Sequence, residues 1–96
     1  MSARLVTTET AFSAVGPAAQ KLTIFKVTDG IDAEHALEKA SNLLDAILAS
    51  IEDAAMGTAK LEGQPAWLTL HAAESTKAII DALWDTLQLA DAGGAR

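Results

Sequence analysis

The sequence predicts an all-α fold. Its unit is an antiparallel helical hairpin, about 33–56 and 66–89, that dimerises into a four-helix bundle, with a short extended or β segment at about 21–27. Three observations carry this reading. A heptad-spaced apolar stripe marks the first helix and a second stripe marks the other. Only seven residues, Thr58 to Gln64, join them, and a short connection makes neighbouring helices antiparallel.

Residues 1–20 show no sustained period. Thr7, Thr8, Thr10 and Ser13 alternate with small side chains, and Gly16-Pro17 interrupts any element. This stretch is expected to be a flexible arm that can dock only through Phe12 and Val15. Lys21 to Val27 is richer in β-branched and aromatic residues and ends in the turn signal Thr28-Asp29-Gly30. It lacks an evident strand partner in the chain. It therefore pairs with its copy in a second chain or, the preferred reading, lies extended across the helices.

The stretch from Gly30 to Gly57 is the clearest. Leu37, Leu44 and Ile51 recur every seven residues, with Ala40, Ile47 and Ala54 three residues after each. Ala36 and Leu43 widen the stripe on one flank, Leu48 and Ala55 on the other, beyond the arc of an ordinary surface helix. Glu38, Asp45 and Glu52 form the opposite side. Asp32 is placed to cap the helix start, Glu34 suits the positive end of the helix dipole, and Gly57 suits a helix stop. In the connection, Leu61 is expected to tuck inward. Pro65 suits a helix start, and Trp67 is placed to close over the loop. Ile80, Leu83 and Leu87 of the second helix are expected to meet Leu37, Leu44, Ile47 and Ile51 of the first as the hairpin core. The tail from Asp91 reads as a helix stop followed by a disordered end, so residues 21–91 form one domain and 92–96 a tail.

Two helices alone leave one side of each stripe in water. A two-fold dimer removes that exposure most simply, and the arm folding back is the alternative cover. The expected dimer or partner interface is Ala36, Leu43, Leu48, Ala55, Ile79 and Trp84, with Trp84 as anchor. Composition points the same way. Half of the 96 residues are apolar, but much of that is alanine, with only two Phe and two Trp. A chain this small buries a low fraction of its surface, and oligomerisation is the usual remedy.

Net charge is −6. Residues 28–96 hold twelve acids against four bases, or −8, which disfavours a phosphate backbone as partner. There is no cysteine, no apolar run long enough to span a membrane and no secretory-signal pattern, so a cytoplasmic location is expected. The two histidines form His35-x-x-Glu38 and His71-x-x-Glu74, each near the start of a different helix. Antiparallel packing separates those starts, so no metal site and no cofactor is expected. Lys77 is placed to pair with Glu74 or Asp81. Glu52 and Asp53 are adjacent on a helix and diverge, and no activated serine or phosphate-binding loop is present. An enzyme is not expected.

The run Phe25-x-Val27-x-x-Gly30-Ile31-x-Ala33-Glu34-x-Ala36-Leu37-Glu38-x-Ala40-Ser41-x-Leu43-Leu44, followed by Trp67 and Glu74-x-x-Lys77-Ala78-x-x-Asp81, resembles a family of small proteobacterial proteins. The family is grouped as a domain of unknown function, and the resemblance covers about residues 25–81. It implies a bacterial two-helix protein and brings no activity or cofactor. The long arm and the Gly57–Gln64 interval depart from the family pattern. The function expected is a non-catalytic interaction module acting as a homodimer, with an unidentified protein as a further partner. One alternative is an acidic antagonist of a nucleic-acid-handling protein, of the kind carried by mobile elements. The other is a small carrier of a metal or an apolar ligand.

Overall fold

The computed structural model describes residues 5–94. In chain order it contains strand β1 (Thr10–Val15), a single 3-10 turn at Ala18–Gln20, strand β2 (Leu22–Val27), helix α1 (Ala33–Ala55) and helix α2 (Gln64–Gly94). The two helices pack along one another, and the two strands form an antiparallel hairpin that packs on α2.

The strand pair corrects the all-α expectation. The partner missing for residues 21–27 comes from within the arm, with Phe12 opposite Phe25, Thr10 opposite Val27 and Val15 opposite Leu22. Gly16-Pro17 does not merely interrupt the arm. It opens the turn that folds β1 back on β2, with Gly16 at φ +71° and Lys21 closing the 3-10 turn at φ +52°. Ser13 sits inside β1 at φ +63°, and the register is the same on either side of it, with Phe12 opposite Phe25 and Ala14 opposite Thr23. The rings of Phe12 and Phe25 stack 5.7 Å apart, and Phe25 lies 4.9 Å from the ring of His71 on α2. Three rings thus join hairpin to helix.

Upstream of β1, the segment from Leu5 to Thr8 is fixed by hydrogen bonds rather than by burial of large side chains. Thr7 is buried at 2 % exposure. Its N–H donates to Ile31 O at 2.8 Å, and its carbonyl accepts from Gly30 N at 2.8 Å. Its hydroxyl donates to Thr28 O at 2.7 Å and accepts from Ile31 N at 3.0 Å. Ala33 N donates to Leu5 O, which ties the start of α1 to the same segment. On the other side, Thr8 donates to Ala82 O through both its N–H and its hydroxyl, and the Thr86 hydroxyl donates to Val6 O. The arm therefore bridges both helices. Residues 1–4 of the expected arm lie outside the described residues.

The helices follow their local signals closely. Asp32 occupies the N-cap position of α1, although its side chain makes no capping hydrogen bond, and its carbonyl accepts from Ala36 N. Glu34 lies in the first turn. Met56 caps the C-terminus, and Gly57 follows at φ +76°, a conformation that costs glycine nothing. Helix α2 starts two residues before the expected 66, with Pro65 in its first turn, and continues to Gly94. The part of the expected tail at 92–94 is thus helical, and 95–96 lie outside the described residues. Leu61 and Trp67 remain exposed, Trp67 at 70 %. The loop end is therefore not closed by either of them.

Replacing Thr7 by valine keeps the shape and removes the hydroxyl from two hydrogen bonds. The expected loss is about 1–3 kcal/mol, the cost of leaving buried polar partners unmet. Replacing Ser13 by glycine relieves the left-handed backbone and should raise stability by about 0.5–1 kcal/mol. Urea denaturation at fixed protein concentration reads both changes.

Candidate functional site

The seam between the helices is lined by small and branched apolar side chains. On α1 the buried residues are Ala36, Ala40 and Ile47, with Leu43 and Ala54 partly buried in the same row. On α2 Thr76 and Leu83 are buried, and Ala72 and Ile79 are partly buried beside them. The Thr76 hydroxyl is satisfied by donating to Ala72 O, so it enters the seam without an unmet polar group. Alanine allows close approach of two backbones, and the larger residues of the heptad stripe are left outside.

This divides the wide stripe differently from the sequence reading. Of the residues assigned to the hairpin core, Ile47 and Leu83 are buried. Leu37, Leu44, Ile51, Ile80 and Leu87 are between 42 and 53 % exposed. Of those assigned to an outer interface, Ala36 is buried, and Leu43 and Ile79 are partly buried in the seam. Leu48 and Trp84, each 57 % exposed, and Ala55 stay outside. The physical reason lies in side-chain size. The row 36–40–43–47–54 has the helical spacing of a packing seam and sets three alanines beside Leu43 and Ile47, whereas the row 37–44–48–51 is large throughout.

The exposed residues converge. Each outer row stands one residue forward of a seam row: 37, 44 and 48 follow 36, 43 and 47, while 80 and 84 follow 79 and 83. One residue is a rotation of about 100° around a helix axis. Because the helices are antiparallel, the forward rotation carries both outer rows to the same side of the pair. Leu37, Leu44, Leu48 and Ile51 of α1 thus share one face with Ile80, Trp84 and Leu87 of α2. One residue back from the seam row of α2 stand Ala78 and Ala82, both buried, on the side crossed by the arm. The pair therefore has one face covered by its own N-terminal segment and one face that is open and apolar.

The hairpin stands at the remaining flank. A notch of about 230 Å3 lies between β1 and the Glu74–Asp81 stretch of α2, on the side of that helix turned away from α1. Lys77 pairs with Asp81 at 2.8 Å along its rim. A second notch of similar size opens between Ala46, Ile47 and Ser50 of α1 and Leu68, Thr69 and Ala72 of α2. Both are shallow and open to solvent. His71 is held against the rings of Phe12 and Phe25, while His35 is exposed in the first turn of α1. Among the described residues no group of three or more His, Cys, Asp or Glu is arranged to hold a metal ion. No described helix is long and apolar enough to cross a membrane.

Residues 7–86 match the model of a family described as a protein of unknown function, DUF3077. No curated protein and no solved structure matches the chain. The matched span is wider than the resemblance read over residues 25–81. It begins at Thr7 and ends at Thr86, two of the residues that fasten the arm, and so takes in the strand pair as well as both helices. With most of its length inside that match, the chain belongs to the DUF3077 family of proteins of unknown function.

Proposed function

We propose that the protein is a non-catalytic interaction module that acts as a homodimer, two helical hairpins stacked through their open faces into a four-helix bundle. The observation that carries this reading is the surface left exposed by a single chain. A compact monomer of 10.0 kDa has an accessible surface of about 5,200 Å2, and this chain has 7087 Å2. The excess, roughly 1,900 Å2, is larger than the roughly 800 Å2 that each partner gives to a standard interface. The radius of gyration agrees: 16.3 Å against about 12.5 Å for a compact chain of this length. With extents of 54 × 35 × 19 Å, the chain is a flat slab, a helix pair with the N-terminal segment on one side, which leaves a broad face to cover.

The content of the face supports the same reading. Among the described residues no large side chain is fully buried, while seven large apolar residues crowd the open side of the helix pair. Covering the exposed part of a Leu or Trp contributes on the order of 1 kcal/mol or more each. Such a patch on a soluble chain marks an association surface. Stacking it on its own copy matches apolar to apolar across a two-fold axis, with Trp84 as the largest anchor.

Sedimentation equilibrium at micromolar concentration tests the proposal. The expected mass is twice 10.0 kDa, and a clean monomer overturns it. Leu44→Glu and Trp84→Glu each place a carboxylate in the centre of the face. Each should return the chain to a monomer while far-ultraviolet circular dichroism keeps its helical signal.

A further inference from the structure

We infer that the β-hairpin is a clasp for the second copy, with Lys21 and Lys26 reaching the acidic row Glu38, Asp45 and Glu52 on the partner's α1. The inference rests on the homodimer proposed above and specifies how its two halves are oriented.

Charge is distributed unevenly between the two parts of the chain. From Thr10 to Val27 there are two lysines and no carboxylate, whereas residues 33–94 carry ten carboxylates and three lysines. On the hairpin, Lys21 lies at the turn. Lys26 pairs with Glu9 at 3.4 Å, with both side chains 61 % exposed, a pair of little energetic weight. Beside the lysines, Leu22 and Ile24 are 47 and 63 % exposed. On α1, Glu38, Asp45 and Glu52 are all exposed, and helical spacing sets them about 180° from the seam with α2. Each slab thus has a basic, apolar flank at the hairpin and an acidic flank at α1.

Two open faces can be stacked about an axis running along the helices or about one running across them. Across the helices, α1 lies on α1 and hairpin on hairpin, so acid meets acid and lysine meets lysine. Along the helices, α1 lies on the partner's α2. Each hairpin, standing on the far flank of its own α2, then comes beside the outer flank of the partner's α1. This axis also preserves height. Ile47 and Ala72 line one notch, so the stretch of α2 at 71–81 that carries the hairpin stands level with about 38–48 of α1. That is the height of Glu38 and Asp45, and Glu52 lies further toward the hairpin turn and Lys21. Charge complementarity and level both select the axis along the helices.

The decisive variant is Asp45→Lys with Glu52→Lys. It lowers the net charge from −6 to −2, since each change removes one negative charge and adds a positive one. General repulsion between two acidic chains would then fall and the dimer would tighten. The clasp predicts the opposite, a dissociation constant weaker by roughly tenfold, as several exposed pairs turn repulsive together. Combining these changes with Lys21→Glu and Lys26→Glu restores the net charge of −6 and should bring the constant back to that of the unmodified chain. As a check independent of any variant, raising salt from 20 to 500 mM should weaken the unmodified dimer, because the contacts it screens are attractive. All constants are read by sedimentation equilibrium. A dimer that tightens in the Asp45→Lys/Glu52→Lys variant, fails to recover in the four-fold variant, or strengthens with salt overturns the clasp and leaves the dimer standing. An unmodified chain that is monomeric at every concentration overturns both.

Discussion

The hydrogen bonds of Thr7 hold this fold in place. A segment from Leu5 to Thr8 with no large buried side chain reaches the turn before α1 on one side and the backbone of α2 on the other. Backbone polar groups withdrawn from water must find partners, and here each helix provides them to the same four residues. The consequence is architectural. The hairpin that follows the segment cannot swing freely, because its base is tied at Thr8 to Ala82 and its face is held by rings at His71. Thr7, with four hydrogen bonds to Thr28, Gly30 and Ile31, ties the segment to the turn before α1, and its neighbours Val6 and Thr8 tie it to α2.

The second constraint is the size of the seam. Alanine at 36 and 40 of α1 and at 72 of α2 favours close backbone approach, and each alanine contributes little apolar burial. The chain thereby gains a tight pair of helices and keeps its largest side chains on the outside. A protein optimised to stand alone would reverse that order. The burial pattern and the large accessible surface describe the same arrangement, in which internal contacts fix shape and much of the apolar area is left exposed.

Much of the helical part was legible in the sequence, because its signals are local. Asp32 and Glu34 at the start of α1, Gly57 at its end and Pro65 near the start of α2 mark the boundaries within about two residues. The partition of the stripe was not legible. Heptad spacing fits the rows through Leu37 and through Ala36 equally well, and preference for large residues selects the wrong row when the real seam is built partly from small ones. Strand β1 was hidden for another reason. Phe12 is its one half-buried large apolar residue, and it stands among Thr, Ala and Ser, so the stretch shows no alternation of large apolar side chains. The available signal was Gly16-Pro17 between two six-residue stretches of β-branched and aromatic residues, the punctuation of a hairpin rather than of a loose arm. His71, an exposed residue of α2, is also the helix's contribution to a ring cluster assembled from three separate parts of the chain.

The tie between Thr8 and Ala82 has a consequence for how the molecule is made. The strand pair and the helix pair are each built from neighbours in sequence and can form while synthesis proceeds. The bonds that join them link residues 74 and 80 positions apart. A nascent chain therefore carries a finished hairpin without its full anchorage on α2 until the stretch from His71 to Thr86 has been made. Closure is a late, single event, and loop-closure entropy makes it the slow one. Chains cut short before Ala82 would expose both the open helix face and the unfastened N-terminal segment, so quality control has a clear difference to detect between complete and incomplete copies.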